Sequence, residues 1–411
     1  MHDAAARTTR GRGLRPLRTL KDLEVLEKKP AQGAPTKGLW ERTRAAVRRE
    51  VVEFCLLTGL HGCKYIAQPG KHSAERLFWV VAVLVSIAAA LYLMAGAYTF
   101  NRAHQSLLAV DTTNHPLWRV QMPAVTVCPS NKVLRSKALR LVRSLILPPD
   151  VTESQVLEDM AMLAELVAPR AENVTDFARL QDILDNNGLS IDQVMWAVSP
   201  SCDELLVRCV WKRRECLRCS ELFRKVRTAY GFCCSFNYID RDIESFRRRP
   251  RIGGCWGPLP PTGVQRLSAC GSNNGLSVAV RVQTREYLAS LVPSFSVMVL
   301  IHSALQYPDE SAHLKVVGTG TLSLISYIAE VMEATPRLKL LSPDVRKCLF
   351  TDETYLPMYR DFTFSNCMAS CRANRTMASC DCVPLTFPYV LNRTLCKLTD
   401  VPCQSRLLFG M

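Results

Sequence analysis

No Gly-x-Ser-x-Gly, no His-Glu-x-x-His and no glycine-rich phosphate loop occurs in the 411 residues, so common hydrolase, zincin and nucleotide-binding chemistries have no local motif here. Histidine is scarce. Only His104, His115, His302 and His313 of the seven follow the main apolar run, and their spacings suit no metal. A cysteine nucleophile beside one of them is conceivable, but the crowding of cysteines in that part of the chain favours disulfides. The sequence is read as that of a non-enzyme with no metal and no cofactor. Cysteine is nearly absent before residue 77, where only Cys55 and Cys63 of the 18 occur. Charge is absent from one stretch altogether.

That stretch is Leu77 to Phe100. As a helix of 24 residues it would be ~36 Å long, enough to cross a hydrocarbon core of roughly 30 Å. Arg76 and Arg102 bracket it, and Trp79 and Tyr98 sit near its ends, where amphipathic rings favour the interface. It begins too late to be a cleaved signal peptide, and a permanent signal anchor is expected. Residues 1–76 carry 16 Lys plus Arg against 8 Asp plus Glu, a balance of +8. Positive arms stay cytosolic, which predicts an inner N-terminus and an extracellular region from 101 to 411 at the plasma membrane. The other sixteen cysteines lie on that outer side, as does each sequon, Asn173-Val-Thr, Asn374-Arg-Thr and Asn392-Arg-Thr. The net charge of +15 leaves +7 outside, an ordinary solvated surface, and nucleic acid is dropped as a partner.

Residues 1 to about 50 are rich in charge, Pro and Gly and predict a flexible arm, while Leu39–Leu57 suits a short amphipathic helix at the inner membrane surface. Beyond the span, Thr152 and Gln155 form a possible capping box, followed by Leu157, Met160, Ala161, Ala164 and Val167 at helical spacing. A second helix is expected from Asp176 to a stop near Gly188. Leu276, Val278, Val280 and Val282 alternate as in a half-buried strand, and Phe295–Ile301 reads as a strand buried on both faces. The fold class is that of a membrane protein with an α+β ectodomain.

Nine outer cysteines fall between Cys128 and Cys270 and seven between Cys348 and Cys403. A structural zinc site would need a second Cys pair, so disulfides are expected, with connectivity open. Both groups are odd in number. The chain ends eight residues after Cys403, and no second apolar run of 18 residues follows Phe100, so a partial sequence is expected.

Five blocks, in order, carry a resemblance. They are Gly59-Leu-His61-Gly62; Met122-Pro123-Ala-Val125-Thr126-Val-Cys128; Thr228-Ala-Tyr-Gly231-Phe-Cys233-Cys-Ser-Phe236-Asn237; Phe295 to Pro308; and the run from Arg346-Lys-Cys348 through Tyr359, Phe364-Ser-Asn-Cys367-Met-Ala-Ser-Cys371 and Cys380-Asp-Cys382-Val-Pro384 to Pro388. Together they resemble the degenerin and epithelial sodium channel superfamily, in particular its pickpocket-like subunits.

The resemblance implies a stimulus-gated, amiloride-sensitive-type sodium channel subunit that assembles as a trimer with other subunits. Its ectodomain would be hand-like, with a palm sheet and helical finger and thumb, and the permeant ion would be Na+. It further implies a gating role for His61 and Gly62, and pairings of Cys128 with Cys233, Cys380 with Cys403 and Cys382 with Cys396. Cys348, Cys367 and Cys371 would be left as unpaired thiols. The family's second membrane helix has no counterpart in the sequence. The rival readings are a single-span Cys-rich receptor or adhesion protein, and a non-conducting truncated subunit that modulates full-length channels.

Two further expectations come from the residues themselves. Ala82, Ser86, Ala90 and Ala97 make a stripe of small residues suited to a partner helix. Arg224-Lys-Val-Arg227 and Arg247-Arg-Arg-Pro-Arg251 resemble sites that trypsin-like or furin-like proteases cut, although basic runs are also common in exposed loops.

Overall fold

The computed structural model describes residues 38–104, 108–169, 177–239, 263–267, 269–359, 361–388 and 393–409. Two compact units divide the chain at His104. The sequons at Asn173 and Asn392 and the basic run 247–251 lie outside the described residues.

Among its described residues the first unit holds three helices: α1 (Leu39–Leu57), α2 (Cys63–Ala67) and α3 (Ser73–Ala103). In α1, Glu41 occupies the first turn, where a carboxylate complements the helix dipole. The helix ends as Thr58 turns extended. The expected span lies within α3, whose 31 residues cover ~46 Å. Its most apolar window has a mean hydropathy of 2.5, and none of its residues is buried. At ~25 cal/mol per Å² of apolar surface, such a helix suits hydrocarbon and not water. Among the described residues it is the one helix long and apolar enough to cross a membrane. Ser86 Oγ donates to the Ala82 carbonyl (2.8 Å) and Thr99 Oγ1 to that of Gly96 (2.9 Å), so the hydroxyls are satisfied within the helix, as an apolar solvent demands.

The second unit is built around an antiparallel five-stranded sheet. Its strands are β1 (Ala124–Pro129), β5 (Phe223–Thr228), β6 (Gly231–Phe236), β9 (Ser296–His302) and β10 (His313–Gly318), in the order β10-β9-β1-β6-β5. β1 is central, with Thr126 opposite both Ser235 and Leu300. The apolar run beginning at Phe295 supplies β9, which lies between β10 and β1 and is buried over most of its length. A continuous apolar pattern is what two covered faces require.

Between β1 and β5 the chain inserts β2 (Asn131–Leu134) and helices α4 (Arg135–Val142), α5 (Glu153–Asp159), α6 (Ala178–Asn186), α7 (Ile191–Val198) and α8 (Cys202–Leu205). Three of these helices start at capping boxes, Thr152 with Gln155, Ser190 with Gln193 and Ser201 with Glu204. Each box satisfies backbone donors that a helix start leaves unpaired. The apolar faces of α4–α7 close on Met160, Leu163, Leu180, Ile183, Leu184 and Val194, with Phe232 from β6 in the same core. α6 ends before Gly188, whose φ of +65° takes the chain out of the helix.

A second core gathers further along β6, on the same face as Phe232, around Trp211, Phe223 and Phe236. It is roofed by β3 (Leu206–Trp211), β4 (Arg214–Glu215) and β7 (Leu276–Val280) in the order β4-β3-β7. β7 stops before the expected Val282: the Arg281 amide still donates to the Leu205 carbonyl, but Leu205 already belongs to α8, so no strand remains on that side to pair with Val282. β8 (Tyr287–Ser290) pairs with β2. After β10 come α9 (Pro343–Arg346), α10 (Phe364–Cys380) and α11 (Val401–Phe409).

Candidate functional site

His61 and Gly62 form the turn between α1 and α2. Gly62 has φ +94°, a backbone angle that L side chains rarely adopt. A Cβ there would lie 2.8 Å from Val83 Cγ2 and 3.3 Å from Trp79 Cε3, so the turn sits directly on the membrane helix. Tyr65 stacks on Trp79 (4.6 Å between centroids), and Arg76 reaches back to donate to the Gln68 carbonyl (3.2 Å). His61 itself is exposed. What Gly62 contributes physically is a backbone that can approach α3 because it lacks a side chain.

In the second unit, the block around Thr126 forms a buried hub. His302 Nδ1 lies 2.9 Å from the Ser303 carbonyl, which can only accept, so this nitrogen carries the proton. Nε2 is then the acceptor for Thr126 Oγ1 (2.8 Å), and Ser235 Oγ donates in turn to Thr126 (2.7 Å). Burial pulls the His302 imidazole down to about 4, because a charged ring has no water around it. Asn237 takes a left-handed backbone, φ +59°. It donates to the Met122 carbonyl (2.5 Å) and accepts from the Gln265 amide (2.8 Å). Thr228 Oγ1 donates to the Gly231 carbonyl and accepts from the Tyr230 amide, bracing the β5–β6 hairpin. Gly231 turns at φ +82° where a Cβ would press on Val167 at 3.1 Å. Phe236 is fully buried against Trp211.

Residues 54–410 match the family model described as amiloride-sensitive sodium channel. The chain belongs to the amiloride-sensitive sodium channel family. It is 25% identical over 369 residues to sodium channel protein Nach of Drosophila melanogaster, covering 87% of this chain and 67% of that protein. To pickpocket protein 28 of the same species it is 26% identical, covering 89% and 60%, and to human acid-sensing ion channel 4 it is 25% identical, covering 85% and 57%. The chain spans about two thirds or less of the length of these relatives.

The cysteines of this channel-family chain are joined as Cys128–Cys233, Cys202–Cys234, Cys209–Cys219, Cys380–Cys403 and Cys382–Cys396, and Cys216 is also disulfide-bonded. Neighbours on a strand face opposite sides. Cys233 and Cys234 therefore staple β6 to two different cores. Cys270, Cys348, Cys367 and Cys371 are thiols, the last two one helical turn apart on α10. Cys382 and Cys396 lie near Asp400, but their sulfurs are already joined, leaving a lone carboxylate that holds no metal by itself. Asn374 is exposed on α10.

Several residues of this region carry structure that spacing does not reveal. Asn366, fully buried, caps the loop before α10 by accepting from the Tyr307 amide (2.8 Å) and donating to the Leu305 and Asp361 carbonyls (both 3.0 Å). Arg346 is buried with its guanidinium on the Cys348 and Leu341 carbonyls and on Glu353. Lys132 is 1% exposed, donates to the Pro129 carbonyl at 2.6 Å, and is brought by burial down to about 7.

One expectation is corrected. Arg224–Arg227 is not an exposed protease loop, because it lies in β5 and is paired along its length with β6. The Arg227 side chain is 11% exposed and ion-paired to Asp192. Lys225 donates to the Trp196 carbonyl (2.7 Å) beneath the Trp196 ring. A protease needs an extended, detachable segment, and this one is held by the sheet.

Proposed function

We propose that this chain is a subunit of a stimulus-gated sodium channel of the plasma membrane, with a cytosolic N-terminus and the second unit as the extracellular sensor. On this reading the five-stranded sheet is the palm, the α4–α7 layer the finger and α10–α11 the thumb. α3 offers few oxygen ligands, and its Ser86 and Thr99 hydroxyls are used within the helix. Permeation chemistry therefore comes from other helices of the assembled, trimeric channel, and amiloride acts there if at all. The single observation that carries this reading is the Gly62 turn seated on Trp79 and Val83. A receptor or adhesion stalk has no use for a side-chain-free contact at the foot of its anchor, whereas a gate needs such a coupling. The test is co-expression with a pore-complete pickpocket-type subunit, reading sodium current and surface assembly together. Altered current that changes again with Gly62→Ala supports the reading. Unchanged current despite confirmed co-assembly overturns it.

A further inference from the structure

Among the described residues of the first unit only two side chains are buried, and both are cysteines: Cys55 at 9% exposure and Cys63 at 6%. Their apolar neighbours Phe54, Leu57 and Leu60 remain exposed. Cys55 sits in the last turn of α1, Cys63 opens α2, and the His61–Gly62 turn lies between them. Both sulfurs are thiols, in contrast to the bridged cysteines of the second unit. The helices that carry them, α1 and α2, pack against each other.

We propose that Cys55 and Cys63 form a reversible disulfide modification site, whose oxidised state fastens the end of α1 to α2 and holds the intervening turn closed on α3. The inference rests on the cytosolic placement of this arm, where thiols are the resting state. The oxidant is a hydroperoxide. The Cys63 thiolate attacks one peroxide oxygen, breaking the O–O bond, releasing hydroxide that takes up a proton as water, and leaving a sulfenic acid. The Cys55 sulfur then attacks the sulfenic sulfur, forming the S–S bond and expelling a second water with the Cys55 proton. Two thiols lose two electrons in all, and the peroxide gains them. The resolving role falls to Cys55, because burial, and then the Cys63 charge, hold its thiol above the ordinary value. A thiol reductant reverses the bond.

Trypsin cuts after Arg49 and Lys64, so one fragment, Glu50–Lys64, carries both thiols. The full chain in intact cells is treated with hydrogen peroxide, quenched in acid, unfolded, labelled with maleimide and digested. Untreated, the fragment takes two labels. After peroxide it is expected to take none and to lose the mass of two hydrogens, with dithiothreitol restoring labelling. In Cys55→Ser the reaction is expected to stop at a Cys63 sulfenic acid that dimedone traps. Two labels after peroxide would overturn the site while leaving the channel reading intact. A fragment already bridged before treatment would overturn the cytosolic placement together with the switch.

Discussion

Replacing Gly62 with Ala tests the contact between the turn and the membrane helix most directly. The backbone cost of a non-glycine residue in a sparsely populated region is about 1–3 kcal/mol. The new Cβ also meets Val83 Cγ2 at 2.8 Å, an overlap that must be relieved by moving packed atoms, at about 1 kcal/mol or more. Together these come to about 2–4 kcal/mol, or roughly thirty-fold to several-hundred-fold in the docked-to-undocked ratio. Against this stands the Tyr65–Trp79 stack, a term of about 0.5–1.5 kcal/mol. Strain wins, so the turn lifts from α3. The expected outcomes are faster amide hydrogen exchange over residues 59–67 and a shifted open probability in co-assembled channels. Adding Val83→Ala removes the overlap but not the backbone cost, so the double variant should recover only part of the protection. Unchanged exchange in Gly62→Ala would refute the contact, and complete recovery in the double variant would refute the backbone part of the reasoning.

Opening the Cys128–Cys233 bridge by Cys128→Ser frees a loop with a sequence separation of 105, which the chain-entropy model sets at about 4–5 kcal/mol; surface biotinylation should show the variant largely retained, and wild-type delivery would contradict this. His302 titrates near 4 when folded against an ordinary 6.5, so between these values the unfolded chain binds a proton that the native one does not. Its contribution is therefore present above 6.5 and lost as pH falls towards 4, a loss of about 3 kcal/mol. Urea unfolding of the detergent-solubilised chain at both ends of that window should show a smaller pH dependence for His302→Gln, and equal dependence would count against the buried neutral ring. Asn374→Gln should remove one glycosidase-sensitive mobility step if the second unit is extracellular, and a chain with no glycan at any of its three sequons would argue against that topology.

Local devices were legible in the sequence and distant ones were not. The Thr152–Gln155 capping box, the α3 span, the α1 helix and the apolar β9 strand each depend on residues a few positions apart, so periodicity and caps suffice to find them. The Thr126–His302 bond joins residues 176 apart and the Thr126–Ser235 bond residues 109 apart, and no local pattern announces such partners. Asn366 and Lys132 were missed for the same reason: a polar residue in a buried place is explained only by the backbone it serves. The basic stretch Arg224–Arg227 misled because a basic run resembles a protease site in sequence whether or not its backbone is held in a sheet. Arg227 finds Asp192, and Lys225 finds carbonyls and an aromatic face, so the long side chains spread over covered ground with their charges paired.

The directional bonds of the second unit favour one route for a signal to reach the strand that follows the membrane helix. The α4–α7 layer meets the sheet through apolar packing and, at the edge strand β5, through the Arg227–Asp192 pair and the Lys225 bond to the Trp196 carbonyl. α10 meets it differently. Asn366 at its start holds the Tyr307 amide, the Tyr307 hydroxyl holds the Thr386 carbonyl at 2.6 Å, and the next residue's carbonyl, Pro308, accepts from Ala229 in the β5–β6 hairpin. That hairpin is tied to β1 through Cys128–Cys233, and β9 is tied to β1 through His302 and Thr126. Each step is a covalent bond or a hydrogen bond, whose directional preference resists displacement of α10 more than apolar packing does. Packed interiors yield in discrete steps and not by smooth deformation. On the proposed gating reading, a stimulus that shifts α10 would be passed to β1, the central strand, which follows α3 in the chain.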